Sequence, residues 1–246
     1  MDKVPVALTI AGFDPSGGAG VLADARTFSA FGVNAVAVVT SLTFQNDREF
    51  FGAAHQSAAS VRSQVESLTD RYSIASAKTG MLPTAEVVRE VVRLFRDQKL
   101  PSPVVDPVLM SSSGKRLMEE AAVSVLMNEL FPTCRVVTPN VPEAETLTGI
   151  QITSEGHLRE AAAQIRNMGA RAVLIKGGHL SGDLSIDVLD DDGEITVFRG
   201  ERIQGAELHG SGCVLSAAIA AGLCKGMTLK NAVADAKSFV FEELRK

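Results

Sequence analysis

The 246-residue chain contains no tryptophan, one tyrosine and three cysteines. Each scarcity narrows the field. Cys134, Cys213 and Cys224 are an odd set with no C-x-x-C pair, which argues against a disulfide framework and a zinc knuckle. The formal charge is −5, with 24 Lys and Arg against 29 Asp and Glu, and the basic residues are dispersed. A nucleic-acid surface needs a concentrated positive patch, often with aromatic stacking platforms, so no nucleic-acid partner is expected. No apolar run approaches the roughly 20 residues that a membrane-spanning helix requires. Met1 to Pro5 leads straight into an apolar run, without the basic and hydrophobic regions of a secretory leader. The expectation is a cytoplasmic protein with no membrane partner.

Familiar catalytic signatures are missing as well. There is no G-x-x-x-x-G-K-[ST], so a phosphate cradle here must be of another kind. His55, His157, His179 and His209 do not fall at H-E-x-x-H spacing, and no G-x-S-x-G nucleophile elbow occurs.

What is present is an alternation of short β-branched runs with longer amphipathic stretches. Val6–Ala11, Asn34–Thr40, Ile74–Lys78, Val104–Asp106, Val136–Thr138 and Ala172–Lys176 are apolar at consecutive positions, as strands buried on both faces are. Helices are predicted over Gly20–Phe31, Ala58–Asp70, Thr84–Asp97, Leu117–Leu130, Ser154–Met168, Gly212–Cys224 and Leu229–Leu244. Leu184–Leu189 and Glu194–Arg199 flank an Asp-Gly turn and read as a β-hairpin. This order implies an α/β fold with a doubly wound, mostly parallel sheet, helices on both faces and a small hairpin near 184–199. With 46% hydrophobic residues and no linker or repeat, residues 1–246 are expected to form a single domain.

Glycine-rich turns follow several strands at their carboxyl ends, where open α/β sheets bind ligands. In the segment Gly12 to Gly20, Gly18, Gly20 and Ala23 satisfy G-x-G-x-x-A. The acidic companion expected at the end of the second strand is missing, because that strand ends in Thr40-Ser41; this disfavours a nicotinamide site. A tight strand-to-helix turn explains the glycines equally well. Asp106, in Val105-Asp106-Pro107-Val108 ahead of Ser111-Ser112-Ser113-Gly114, has the chemistry to hold Mg²⁺ through water, or to serve as a turn residue. Asn140 and Glu143 either face a metal and phosphate oxygens or simply begin a helix, for which Pro142 and Glu143 are well suited. Lys176, before Gly177-Gly178-His179, reaches a phosphate or lies solvated before a turn.

The most informative stretch is Leu208-His209-Gly210-Ser211-Gly212-Cys213, directly ahead of an apolar helix. Its glycines allow successive N–H groups to converge at a helix N-terminus, which stabilises anions. The same field is expected to lower the Cys213 thiol toward thiolate; the alternative for Cys213 is a small buried hydrophobe. Cys134 and Cys224 lack such surroundings and are expected to be packing residues.

Taken together, ALTIAGFDPSGGAG, TSLTFQN, KTGML, VDPVL, VVTPNVPEAETLTG, LIKGGH and HGSGC resemble the hydroxymethylpyrimidine/phosphomethylpyrimidine kinases of thiamine synthesis, within the ribokinase-like superfamily. The motifs stand in the family's order from about Ala7 to Ala221. The resemblance implies ATP- and Mg²⁺-dependent phosphorylation of 4-amino-5-hydroxymethyl-2-methylpyrimidine, with its monophosphate as a second substrate. It implies that Gly210, Ser211, Gly212 and Cys213 form an anion hole, with Cys213 accepting the substrate's hydroxyl proton. Asp106, Asn140 and Glu143 would order Mg²⁺ and phosphates, with Lys176 on the triphosphate. Nucleotide contacts would also come from Asn140, Gly210 and Gly212. Gly12, Ala19, Thr43, Gln45, Met81 and Val108 resemble the pyrimidine pocket, where the Gln45 amide offers donors and an acceptor to the ring. Ser211 replaces the family's more usual Thr and keeps the hydroxyl. The family often forms homodimers, and usually continues into a glycine-rich tail, whereas this sequence stops at Lys246. A pyridoxine or pyridoxal kinase is the nearest rival reading. A non-catalytic nucleotide- or pyrimidine-sensing module is a more distant one.

Overall fold

Consecutive apolar residues become parallel strands here because each face of the sheet has its own helical cover. The structure, a computed structural model, describes residues 4–97, 100–111, 113–178, 184–201, 203 and 210–245. Ser112, His179, Leu208 and His209, named above with their motifs, lie outside the described residues.

The strands are β1 (Val6–Phe13), β2 (Asn34–Gln45), β3 (Phe50–His55), β4 (Ile74–Thr79), β5 (Val104–Val105), β6 (Val136–Val137), β7 (Ala172–Ile175), β8 (Leu184–Asp191) and β9 (Glu194–Glu201). They form one sheet in the order β3-β2-β1-β4-β5-β6-β7-β8-β9. β2, β1, β4, β5, β6 and β7 run parallel, while β3 at one edge and β8 and β9 at the other are antiparallel to their neighbours. The expected hairpin is present, two residues longer on each arm, and turns through Asp192 and Gly193 at φ 56° and 93°. Both angles are positive, as a tight hairpin turn requires.

The helices are α1 (Gly20–Ala30), α2 (Ala58–Thr69), α3 (Ala85–Asp97), α4 (Glu120–Val125), α5 (Val141–Thr148), α6 (Glu155–Asn167), α7 (Ser211–Cys224) and α8 (Leu229–Leu244). Strand residues alternate between two cores. Val105, Val137, Val173 and Ile175 pack with α3, whose Val87, Val88, Val91, Val92 and Phe95 form one buried stripe. Val104, Val136, Ala172 and Leu174 face the other way, toward α7 and α8. The apolar residues of α7 surround its axis, as in a helix covered on all sides.

Three expectations needed correction. The second strand runs on to Gln45 and pairs with the unforeseen β3, whose Gly52, Ala53 and Ala54 carry little strand signal. The helix expected over Leu117–Leu130 is shorter: α4 passes into a π-helical turn at Leu126–Leu130. A further helix, α5, follows Asn140, where only a helical start had been foreseen.

Candidate active site

Strand order reverses between β1 and β4: from β1 the chain moves outward to β2, and β4 begins the opposite direction. Loops leaving the carboxyl ends of such strands diverge and open a crevice. A cleft of about 1570 Å³ lies there, and every residue nominated from the sequence lines it. Gly12 and Ala19 come from the β1–α1 turn, Thr43 and Gln45 from β2, and Met81 from just past β4. Asp106 and Val108 follow β5, Asn140 follows β6, and Lys176 follows β7. Glu143 stands on α5, and Gly210 to Cys213 open α7.

The start of α7 is framed by backbone. Gly210 is its N-cap at φ 78°, and no side chain among the described residues caps it. The turn at the start of α1 packs against it. There Gly20 has φ 60°, and a β-carbon would stand 2.1 Å from the Gly12 carbonyl oxygen. Two helix N-termini without a side-chain cap among the described residues thus converge, and the Gly20 N–H donates to the Cys213 sulfur. Their partial positive charge suits an anion.

Lys176 forms the cationic wall. Its Nζ is 3.0 Å from Asp106 Oδ1 and 3.0 Å from where a β-carbon on Gly212 would lie. It is not the solvated lysine of the alternative reading, since its side chain is only 13% exposed. Burial lowers the Lys176 pKa, but the carboxylates of Asp106 and Glu143 outweigh that and hold it above the usual lysine value. Asp106 also accepts from Thr138 Oγ1 at 3.3 Å and Ser216 Oγ at 3.2 Å. Burial works to raise its carboxyl pKa; Lys176 and Lys78 reverse the effect and hold it below the usual range.

Asn140 and Glu143 are joined in a reciprocal cap. Asn140 Oδ1 accepts from the Glu143 N–H at 2.8 Å, and Glu143 Oε2 accepts from the Asn140 N–H at 2.9 Å. The helix-start reading therefore describes both residues, while they also line the cleft. Burial pushes the Glu143 carboxyl up to about 7 against the pull of Lys176.

The expectation for Cys213 is overturned. Burial, with the nearby carboxylates of Asp106 and Asp24, pushes its thiol up to about 11, although Lys78 and the Gly20 N–H act in the opposite sense. Burial thus works against the lowering that a helix start would bring. Cys134 and Cys224 are buried packing residues, as expected.

Opposite the cationic wall, Asp14 organises the β1–α1 turn. It accepts from Ser16 N at 2.9 Å, Ser16 Oγ at 2.8 Å, Ala19 N at 2.9 Å and the Gln45 side chain. Thr43 Oγ1 donates to the Phe13 carbonyl at 2.9 Å, fixing β2 against the same turn. Sequence reasoning missed Asp14, Ser216, and the Lys78–Asp24 pair beneath the site. Only the D-P-S spacing of Asp14 to Ser16, which favours an Asx turn, offered a signal.

A metal requirement is compatible with these groups. No cluster of three or more His, Cys, Asp or Glu among the described residues forms a ready cage. Mg²⁺ needs none, because it keeps several waters and takes one or two carboxylates with substrate phosphates. Glu143, a buried carboxyl reluctant to ionise, is the type of group a neighbouring cation would return to its charged form.

A model of the phosphomethylpyrimidine kinase family matches residues 14–246. The chain is 41% identical over 236 residues to the hydroxymethylpyrimidine/phosphomethylpyrimidine kinase of Streptomyces coelicolor, spanning 96% of this chain and 87% of that one. A solved phosphomethylpyrimidine kinase from Clostridium difficile 630 is similar at TM-score 0.86 and 34% identity, covering 98% of this chain and 100% of the other. An ADP complex of Bacillus subtilis pyridoxal kinase is similar at TM-score 0.88 and 33% identity, with 96% and 90% covered.

Proposed function

The chain belongs to the phosphomethylpyrimidine kinase family, and on that premise we propose that it moves the γ-phosphoryl group of ATP onto the hydroxymethyl oxygen of 4-amino-5-hydroxymethyl-2-methylpyrimidine in thiamine biosynthesis, with the monophosphate as second acceptor. The observation that carries this reading is the backbone cup of Gly210, Ser211, Gly212 and Cys213, flanked by Lys176 and facing the residues nominated for the ring. Phosphoryl transfer passes through a loose transition state, so positioning and charge stabilisation matter more than a strong base.

In this reading Gln45, tethered by Asp14, orients the pyrimidine through its amide. The N–H groups opening α7 and the Lys176 ammonium receive charge on the transferred phosphoryl. Cys213 takes the substrate's hydroxyl proton once its own has left for solvent. Glu143, with Asp106 acting through water, would hold Mg²⁺, which when bound neutralises phosphate charge. Asn140 caps α5 and thereby keeps Glu143 in place.

Residues 1–246 act as one kinase domain in this proposal, located in the cytoplasm; no helix among the described residues is long and apolar enough to cross a membrane. The protein pairs as a homodimer. Exposed Leu42 and Phe44 on β2 and Phe51 on β3, at the sheet edge, support that pairing.

Likeness to a pyridoxal kinase supports a second reading with a B6 vitamer as acceptor. An ADP-release assay with hydroxymethylpyrimidine, its monophosphate and pyridoxal side by side separates the two. Turnover of the pyrimidine well above pyridoxal is expected; pyridoxal as the only acceptor would refute the assignment. Cys213→Ala is expected to lower kcat by about 10²-fold or more with nucleotide affinity little changed.

A further inference from the structure

The last paired residues of β7 and β8 are Ile175 and Val188. Lys176 and Gly177 come next, and their backbone N–H groups take partners outside that ladder. The Lys176 N–H donates to the Pro139 carbonyl at 2.9 Å. The Gly177 N–H belongs to a buried residue and donates to Asp187 Oδ1 at 2.9 Å. The two chains touch closely here: a β-carbon on Gly177 would stand 1.8 Å from the Ile186 carbonyl oxygen. A side-chain carboxylate thus takes over where the β7–β8 ladder ends.

Asp187 reaches this position from β8. Its neighbours Ile186 and Val188 pack with the core on the α3 side, while Leu189 packs with α7 and α8. Strand alternation therefore turns Asp187 toward α8. The residue is only 4% exposed, and Lys237 Nζ donates to its second oxygen, Oδ2. Lys237 adjoins the buried Ala236 and follows the buried Val233 by one turn, at the edge of the packed face of α8. One carboxylate oxygen thus holds the backbone after Lys176, and the other is held by α8. Lys176, Asp187 and Lys237 all line the cleft.

Stability is a poor reason for such an arrangement. Desolvation offsets the attraction of a buried ion pair, and an apolar pair of similar volume often serves as well. An apolar pair could not, however, accept the buried Gly177 N–H.

We propose that Asp187, braced by Lys237, is a positioning residue that fixes the backbone after Lys176 and so aims the Lys176 ammonium at the transferred phosphoryl group. The inference rests on the reading of Lys176 as the triphosphate contact. Asp187 acts through that residue, and no proton passes through the Asp187–Lys237 pair.

The test is a double-mutant cycle on the full chain, read by steady-state kinetics. Asp187→Ala is expected to lower kcat about tenfold and raise the ATP KM about threefold, with the hydroxymethylpyrimidine KM held within about twofold. In a Lys176→Met background the same substitution should cost less than about twofold, because the group it aims is gone. Should Asp187→Ala not fold, Lys237→Met takes its place; it leaves the Gly177 contact and is expected to lower kcat about threefold, again only while Lys176 is present. A folded Asp187→Ala with wild-type kcat overturns the proposal. So does an undiminished loss in the Lys176→Met background, which would mark a direct contact with nucleotide or a general effect on the fold. Failure of both variants to fold overturns it too, and makes the pair part of the core. Lys176→Met alone separates the underlying reading: full kcat there removes Lys176 as the triphosphate contact and the proposal with it, whereas a loss there beside a wild-type Asp187→Ala sinks the proposal alone.

Discussion

Gly210 lies so close to Gly18 that a β-carbon on Gly210 would stand 2.1 Å from the Gly18 carbonyl oxygen. The turn opening α1 and the turn opening α7 are thereby locked together, although almost the whole chain separates them. Gly210→Ala must push these turns apart and also meets a positive φ of 78°. The expected outcome is a loss of stability of about 1–3 kcal/mol, read by denaturant titration, with kcat reduced by about 10²-fold.

Lys176 and Asp106 make a direct charge contact in the cleft, at 3.0 Å. Lys176→Met removes the direct ion pair of the Asp106 carboxylate, whose other side-chain hydrogen bonds among the described residues come from the Thr138 and Ser216 hydroxyls. Steady-state kinetics should show kcat/KM lower by about 10²–10³-fold, since an interaction made to developing charge is lost. Lys176→Arg is not expected to restore it, because the space beside Gly212 fits a narrow ammonium.

Gln45 is held by Asp14 with its amide in the cleft. Gln45→Leu keeps much of the volume and removes the polar contacts to the ring. KM for the hydroxymethylpyrimidine should rise about tenfold or more while KM for ATP stays unchanged. Equal effects on both constants would show that Gln45 does not read the ring.

Glu143 has a testable pH signature in metal-free buffer. Its folded-state pKa of about 7 lies above the ordinary glutamate value of 4.5, so the folded protein binds more protons than the unfolded chain between them. Glu143 thus contributes stability below the ordinary value, and that contribution is lost as pH rises through about 7. Tm of the wild type should therefore carry a downward slope over this window. Glu143→Gln, which retains the reciprocal cap, should flatten it. An unchanged slope would show that folding does not raise the Glu143 pKa.

The legible part of this protein was written in near neighbours. β5, β6 and β7 were visible as valine-rich pairs or short runs, and α3 as valines at helical spacing. The β8–β9 hairpin was announced by its Asp-Gly turn. β3 was hidden because Phe50–His55 contains one glycine and two alanines, and its strand form depends on pairing with β2. The break between α4 and the π-helical turn was equally invisible, since every residue from Glu120 to Leu130 is acceptable in a regular helix.

For the site, residue identities were legible and their ionisation was not. The glycines at Gly210 and Gly212 and the thiol of Cys213 marked the start of α7 as a candidate anion site from sequence alone, and the structure brings them to the cleft. The upward shift of that thiol's pKa comes from burial and from Asp106 and Asp24, with Lys78 opposing, and all three residues are distant from it in the chain. Asp24 and Lys78 are 54 residues apart and Asp106 and Lys176 are 70 apart, yet each pair is in direct contact. Periodicity and turn chemistry act over a few residues, so the sequence by itself determined the strands, helices and nominated groups. Electrostatic fields act through space and depend on desolvation, so only the folded sheet could decide which of those groups carry charge.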